Sequence, residues 1–227
     1  SIGFPDGRQQ LSAVTLSSGT AADSGGAGIQ LVQLRIRINP AGLPGNYWDP
    51  TTPNSFNLSA VNESAWFAAN GTINWSSAPF NNGTFWVSGS SYTIIARSRD
   101  NAGNISPIYS TATFTLDISS PSSLVLLPSS SVIQGLPLLK LSGTASDVGG
   151  LINTVKVAVE RLSDSKWWDG TDFNAGVPSW RTTTLASEVW EYKGTDQLDN
   201  NDLYTKLQTG TSYYITSKAI DNVANEE

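Results

Sequence analysis

The sequence predicts an all-β fold built as two successive antiparallel sandwiches, and three observations carry that reading. GSSYTIIARSRDNAGN at 89–104 recurs as GTSYYITSKAIDNVAN at 210–225. Apolar and polar side chains alternate in short runs rather than at helical spacing. Aromatic and β-branched residues are plentiful, and Ser, Thr, Asn and Gly fill the gaps between them, a mixture suited to short strands joined by polar turns.

The repeat runs through nearly the whole chain in a constant order. LSSGTAADSGGAG at 16–28 returns as LSGTASDVGG at 141–150. A period-two run follows each: Val32, Leu34, Ile36 and Ile38 with Gln33, Arg35 and Arg37 between them, then Val155, Val157 and Val159 interleaved with Lys156 and Ala158. Such alternation marks a strand with one buried face. Next come the pairs Trp48-Asp49 and Trp168-Asp169, with Phe56 and Phe173 a few residues on. Trp66 and Trp75 then match Trp180 and Trp190, and the two stretches first quoted close each copy. A self-similarity of this length overrides local readings.

Strand by strand, the first copy places strand A near Ser1 to Phe4, the turn Pro5-Asp6-Gly7, strand B from Leu11 to Ala21 and strand C from Leu31 to Ile38. Strand E holds Trp75, strand F starts at Tyr92 and strand G runs from Ile108 to Asp117. The second copy puts strand A at Leu124 to Leu127 ahead of Pro128, strand B at Leu138 to Ala145, and a short turn of helix at Asp202 to Leu207. Domains are expected at 1–118 and 124–227, joined by a linker at 119–123, SSPSS, which Pro121 stiffens. The second copy lacks its last strand within the chain. Either the chain is an excerpt of a longer array, which the absence of Met even at position 1 also favours, or another segment completes the sheet by strand addition.

In both copies Gly-x-x-Tyr opens the penultimate strand, at Tyr92 and Tyr213. This fits a tyrosine corner, whose ring packs inward while its hydroxyl bonds backbone a few residues upstream. The stretch from Leu207 to Tyr213, LQTGTSY, resembles the entry to strand F in fibronectin type III and bacterial Ig-like domains. SGTA-x-D paired with a closing Asp-Asn-x-x-Asn is similar to Ig-like repeats of large bacterial surface proteins. The resemblance covers nearly all of the chain. It implies two tandem Ig-like antiparallel β-sandwiches at an extracellular or cell-surface location, with adjacent Ig-like repeats of the same or a neighbouring chain as partners, and it implies no activity.

Composition excludes several chemistries. The formal charge of -6 divides as five Arg against six acidic residues in 1–117 and eight basic against thirteen acidic in 118–227. Neither half offers the basic face that nucleic acid or an anionic membrane requires, and no apolar run is long enough to span a bilayer. Cysteine is absent, so each half is held by its core rather than by disulfides. The absence of His removes Ser-His-Asp and Cys-His mechanisms. No Ser-x-x-Lys motif appears, and no pair of acids stands out as a glycosidase couple.

Two groups of residues remain as candidate sites. Recurrence in both copies assigns Trp48, Trp66, Trp75, Trp168, Trp180 and Trp190 to core filling, whereas Trp86 and Trp167 lack counterparts and are the candidates for exposed contact with a glycan or surface protein, ordinary packing being the more usual role even for these two. Trp167 must face opposite to Trp168 if they share a strand. At the loop pole, Asp23 is expected near Asp100, Asn101 and Asn104, and Asp147 near Asp221, Asn222 and Asn225. Carboxylate and amide oxygens suit calcium. The same residue types also occupy turns by bonding nearby backbone, and one carboxylate per loop is few ligands for that ion. The acidic clusters Asp164, Asp169, Asp172 and Asp196, Asp199, Asp202 read as solvated loops. Sequons start at Asn57, Asn62, Asn70, Asn74, Asn82 and Asn104.

The function expected is a non-catalytic spacer or structural segment of an extracellular repeat protein, with no cofactor other than calcium. A glycan- or protein-binding module and a filament subunit completed by donor strand exchange are the alternatives.

Overall fold

The computed structural model describes residues 1–7, 9–39, 46–52, 55–78, 86–129, 140–193 and 203–227. The chain divides into two compact units, Ser1–Ile118 and Ser119–Glu227. Each is an antiparallel β-sandwich of the Ig-like and fibronectin type III-like kind.

The first unit runs β1 (Ile2–Phe4), β2 (Gln10–Leu11), β3 (Ser17–Thr20), β4 (Ile29–Asn39), β5 (Tyr47–Trp48), β6 (Phe56–Leu58), a 3-10 turn (Glu63–Ala65), β7 (Phe67–Ala68), β8 (Asn70–Gly71), β9 (Asn74–Ser77), β10 (Ser91–Asp100) and β11 (Ser110–Leu116). One sheet has the order β1-β3-β9-β8. The other has the order β2-β11-β10-β4-β5-β6, with β7 also on β4.

The second unit repeats this with β12 (Ser122–Leu127), β13 (Leu141–Ser146), β14 (Ile152–Arg161), β15 (Lys166–Trp168), β16 (Phe173–Ala175), β17 (Arg181–Thr182), β18 (Thr184–Ala186), β19 (Val189–Tyr192), α1 (Leu203–Lys206) and β20 (Tyr213–Asp221). Its sheets are β12-β13-β19-β18 and β16-β15-β14-β17, with β20 on β14. Among the described residues, no strand lies on β20 where β11 lies on β10.

Alternation in the sequence becomes burial at alternate positions. Val32, Leu34 and Ile36 of β4 are buried, as are Val155, Val157 and Val159 of β14. They meet Trp48, Trp75, Tyr92 and Phe114 in one core, and Trp168, Phe173, Trp190 and Tyr192 in the other. The SGT triplet has a steric cause. A Cβ on Gly19 would meet the Ser1 carbonyl oxygen at 2.0 Å and the Trp75 ring at 2.5 Å; one on Gly143 would meet the Leu124 carbonyl oxygen at 1.8 Å and Trp190 at 2.7 Å. Only glycine lets the first strand and the tryptophan close on the second strand together.

Three expectations need correction. The stretch 11–21 is not one strand: Gln10 and Leu11 lie parallel to Thr115 and Leu116 of β11, and pairing with β1 begins only at Ser18 and Gly19. The first strand is thus divided between the two sheets. In the predicted linker, Ser122 and Ser123 already belong to β12, paired with Ser146 and Ala145. Trp66 and Trp180 do not enter the sandwich cores. Trp66 packs with Tyr47, Ala65 and Ile95 on the outer face of the β4–β10 sheet, and Trp180 is half-buried with Lys218 over its ring. Leu138, Leu139 and Asp202, placed by sequence in a strand and a helical turn, lie outside the described residues.

Candidate functional site

The loop pole of the first unit is built from Asx turns. Asp23 Oδ1 accepts from the Gly25 N–H and Oδ2 from the Gly28 N–H, both at 2.8 Å. Asp100 accepts from the Asn104 N–H and side-chain amide, also at 2.8 Å. Those bonds, the side-chain one foremost, hold its carboxyl below the usual range. Asn101 donates from Nδ2 to the Ala27 carbonyl, and its N–H to the Gly28 carbonyl. The structure therefore joins the loops of Asp23 and Asn101, but each carboxylate is engaged by its own turn.

The second pole uses the same chemistry with one difference. Asp221 accepts from the N–H groups of Val223 and Asn225 through Oδ1, and from the Asn225 side chain through Oδ2. Asn222 accepts from the Leu151 N–H and donates its own N–H to the Leu151 carbonyl. Asp147, however, has both carboxylate oxygens buried with no hydrogen-bond partner among the described residues. An oxygen of Asp147 and one of Asp221 lie within 4.8 Å of each other. A buried carboxylate without a counter-charge is costly, which sets Asp147 apart from the carboxylates engaged by their own turns.

Four further acidic residues singled out by sequence have partners. Asp49 and Asp169 occupy matching turns, each accepting from the hydroxyl and N–H of the Thr two positions on. Asp164 pairs with Arg161, and Asp172 lies 3.6 Å from Lys206. Asn62 caps the 3-10 turn through the Ser64 N–H. The cluster Asp196, Asp199 and Asp202 and the sequon at Asn82 lie outside the described residues.

Tyr92 and Tyr213 occupy one geometric position. The hydroxyl of Tyr92 accepts from the Val87 N–H at 2.8 Å, and that of Tyr213 from the Gln208 N–H at 2.9 Å, each five residues upstream. The first of these bonds decides the fate of Trp86. A candidate for exposed contact on sequence, with ordinary packing as the other reading, it is only 8% exposed, its ring edge-on to Tyr92 at 4.6 Å and 5.9 Å from Phe114. Anchoring Val87 to Tyr92 draws the preceding side chain into the core.

Trp167 and Trp168 do share β15 and do face oppositely. Trp168 is in the core, and Trp167 is half-buried on the outer face beside Tyr214, with centroids 6.3 Å apart. Register aligns Trp167, Glu160 and Tyr214 across β15, β14 and β20, and Tyr214 is 50% exposed. Tyr214 was missed from sequence, although its alternation with core-facing Tyr213 marks it as outward.

Also missed were the cation–aromatic contacts of the outer faces. Arg35 lies 4.5 Å from the Tyr47 centroid and 4.6 Å from that of Trp66. In the second unit, Lys218 stands 4.7 Å over Trp180 and pairs with Glu226. The outward positions of Arg35, Arg97 and Lys218 on otherwise apolar strands were the available signal.

The fold and these features define a tandem Ig-like, fibronectin type III-like β-sandwich protein. No family model and no curated protein matches the chain. Solved structures similar to it include part of a 1.5-MDa bacterial ice-binding adhesin (12% identity, TM-score 0.37, 93% of this chain and 53% of that one). A tetra-tandem repeat from the extending region of a large adhesion protein is similar at 19% identity and TM-score 0.32, over 95% of this chain and 44% of that one. A two-domain fibronectin type III segment of chicken tenascin has 12% identity and TM-score 0.32, over 100% and 93%. The chain spans about half the length of the two adhesin structures.

Proposed function

We propose that the protein is a non-catalytic structural segment of an extracellular or surface-attached repeat protein, its sandwiches serving as successive units in series with adjacent Ig-like repeats. One observation carries this reading: each unit has a complete aromatic core of its own, centred on Trp48 and Trp75 in one and Trp168 and Trp190 in the other. Asp23, Asp100, Asn101, Asp221 and Asn222 at the loop poles are engaged in holding turns and joining loops. Stretching single molecules tests it. Two separate unfolding events are expected, each releasing a contour length of roughly 0.35 nm per residue of one unit; a single event spanning the whole chain would overturn the reading.

Calcium is the ligand that the second pole favours, at Asp147 and Asp221, because hard oxygen donors suit it and the Asp147 carboxylate lacks protein partners among the described residues. A second reading, binding of a glycan or protein, is favoured at Trp167 and Tyr214 by the exposed tyrosine ring beside a half-buried indole. Trp86 is set aside for that role because it is buried. A glycan array probed with the chain and with Trp167→Ala separates the readings: saturable binding lost in the variant establishes the second one.

A further inference from the structure

We infer that the outer face of β4 and β10 binds a linear polyuronate, a polysaccharide with carboxylates on its sugar rings, at a surface separate from that of Trp167 and Tyr214. Composition hides this face: residues 1–117 hold five Arg against six acidic residues, yet four of the five Arg stand together. Leu34 and Ile36 of β4, and Tyr92, Ile94 and Ala96 of β10, fill the core. Arg35 and Arg37 on one strand, and Arg97 and Arg99 on the other, therefore point outward. Register places Arg99 opposite Leu31, Arg97 opposite Gln33, Arg35 opposite Ile95 and Arg37 opposite Thr93. One arginine thus stands at each successive outward pair, at steps of about 7 Å along the strands, over a track of roughly 20 Å.

One of the four already holds a carboxylate. Glu63 accepts from Arg97 Nη1 at 3.3 Å and from Nη2 at 2.6 Å, a forked guanidinium–carboxylate bond that shows which anion this face accommodates. Arg35, Arg37 and Arg99 have no carboxylate within ion-pair distance among the described residues. Each is half-buried and steadied by a neutral acceptor: the Ala60 carbonyl for Arg35, Asn39 for Arg37 and Gln30 for Arg99. In Arg37 and Arg99 the bonded atom is Nε, so the terminal nitrogens remain as a fork. With their stems held, they take a carboxylate at little cost in side-chain freedom. The fold itself does not require the track. Aligned through Tyr92 and Tyr213, the corresponding positions of the second unit hold Ile220, Lys218, Ala158 and Glu160, and the same sheet forms there without it.

Charge complementarity calls for a polymer with anions in series, and the surroundings select its kind. The rings of this face are covered: Tyr47 is 5% and Trp66 7% exposed, with Arg35 over both and Arg97 over Trp66. No ring is left for a nucleic-acid base to stack on. Ile95 is buried as well, so the side chains of an acidic peptide find no apolar pocket to anchor them. What borders the guanidinium groups is neutral and polar. Gln30, Gln33 and Asn39 carry amide groups, which both donate to and accept from hydroxyls. A chain of hydroxyl-bearing rings with carboxylates at intervals meets both the forks and the amides.

The test titrates the intact chain, by calorimetry at low salt, with an oligogalacturonate long enough to cover the track. Saturable binding is expected, weakening as salt is raised because exposed pairs are screened. The methyl-esterified oligomer, which keeps the sugar and loses the charge, should not bind. Arg37→Gln combined with Arg99→Gln should weaken binding about tenfold or more with the melting temperature unchanged. Arg37→Lys combined with Arg99→Lys should recover only a minor part of that loss, since an ammonium keeps the charge without the fork. Lys156→Gln combined with Lys166→Gln, which removes equal charge from the second unit, should leave binding as it was. The proposal is overturned by an absence of saturable binding, by undiminished binding in the glutamine variant, or by full binding in the lysine variant. It is equally overturned if an oligoglutamate, a sulfated dextran or an oligonucleotide of matching charge binds as tightly as the uronate.

Discussion

Arg97 holds its guanidinium carbon 4.1 Å from the centre of the Trp66 ring, on the face of β10 turned away from the sandwich core. The contact ties an outlying segment to the sheet. Trp66 follows the 3-10 turn, and Glu63 of that turn accepts from Arg97 Nη2 at 2.6 Å while Gln33 accepts from Nε at 2.9 Å. Arg97 itself is buried. Its counterpart Lys218 repeats the arrangement with Trp180 and Glu226, so both units close an outer sheet face with a cation between an aromatic ring and a carboxylate.

Trp66→Ala should therefore destabilise the first unit by about 2 to 4 kcal/mol, the cost of a buried aromatic truncation with loss of two cation–aromatic contacts. Trp66→Phe should recover more than half of that. Chemical denaturation followed separately for the two units checks it, with the second unit's transition unchanged. Equal losses in both units would rule out a local role for this contact.

Gly143→Ala should lower the second unit's stability by about 1 to 3 kcal/mol or more, because the added methyl has neither a rotamer to adopt nor a flexible neighbour to displace. The atoms it meets are the Leu124 carbonyl oxygen and the Trp190 ring. Gly19→Ala should act likewise on the first unit alone. Calorimetry of the two variants should show opposite transitions shifted, and an unshifted pair would mean that strand β12 or β1 moves aside at little cost.

Much of this fold was legible because its signals are local or repeated. Period-two runs placed β4 and β14, and the duplicated Gly-x-x-Tyr placed β10 and β20. What the sequence concealed depends on partners distant along the chain. Gln10 and Leu11 read as the start of a long strand, and only the edge of β11 diverts them to the opposite sheet. Trp66 and Trp75 are equally apolar and both recur in the second copy, so recurrence could not tell an outer-face lid from a core ring. Trp86 lacks a counterpart, so recurrence left both exposed contact and packing open, and the hydrogen bond from Val87 to Tyr92 goes with its place inside. At the loops, residue type suits Asx turns and cation ligands alike, and the distinction lies in which carboxylates the backbone leaves unclaimed.

Acid should weaken the first unit over a narrow range. Thr51, through its hydroxyl and then its N–H, holds the Asp49 carboxyl below the usual value, and Asn104 does so for Asp100. A carboxyl depressed in the folded state contributes its stabilisation fully above the unfolded value of about 3.9 and loses it as pH falls through the folded value. With no histidine in the chain, no side chain of ordinary pKa titrates between about pH 5 and 8. Melting temperature should stay level across that interval and fall below about pH 4, and Asp49→Asn should flatten the fall. A steep change near pH 6.5 would contradict this account.

Calcium should stabilise the second unit through Asp147. Both of its oxygens are buried without a hydrogen-bond donor among the described residues, and a second carboxylate oxygen, from Asp221, lies within 4.8 Å. Like charges so placed repel in the folded state and relax on unfolding, so any cation that binds both favours folding. Added at ten times its dissociation constant, the ion contributes about 1.4 kcal/mol, and at a hundred times about 2.7 kcal/mol. Asp147→Asn removes one charge and half of the ligand pair while leaving the turn bonds of Asp221 in place. In that variant the second unit should melt higher than the unmodified chain when calcium is withheld, because the repulsion is gone, and should no longer respond when calcium is added. Asp23→Asn serves as the control, since that carboxylate is engaged by Gly25 and Gly28 and its loss should leave the calcium response intact. If the unmodified chain melts at one temperature with calcium and with chelator, the two carboxylates are balanced by something other than a divalent cation.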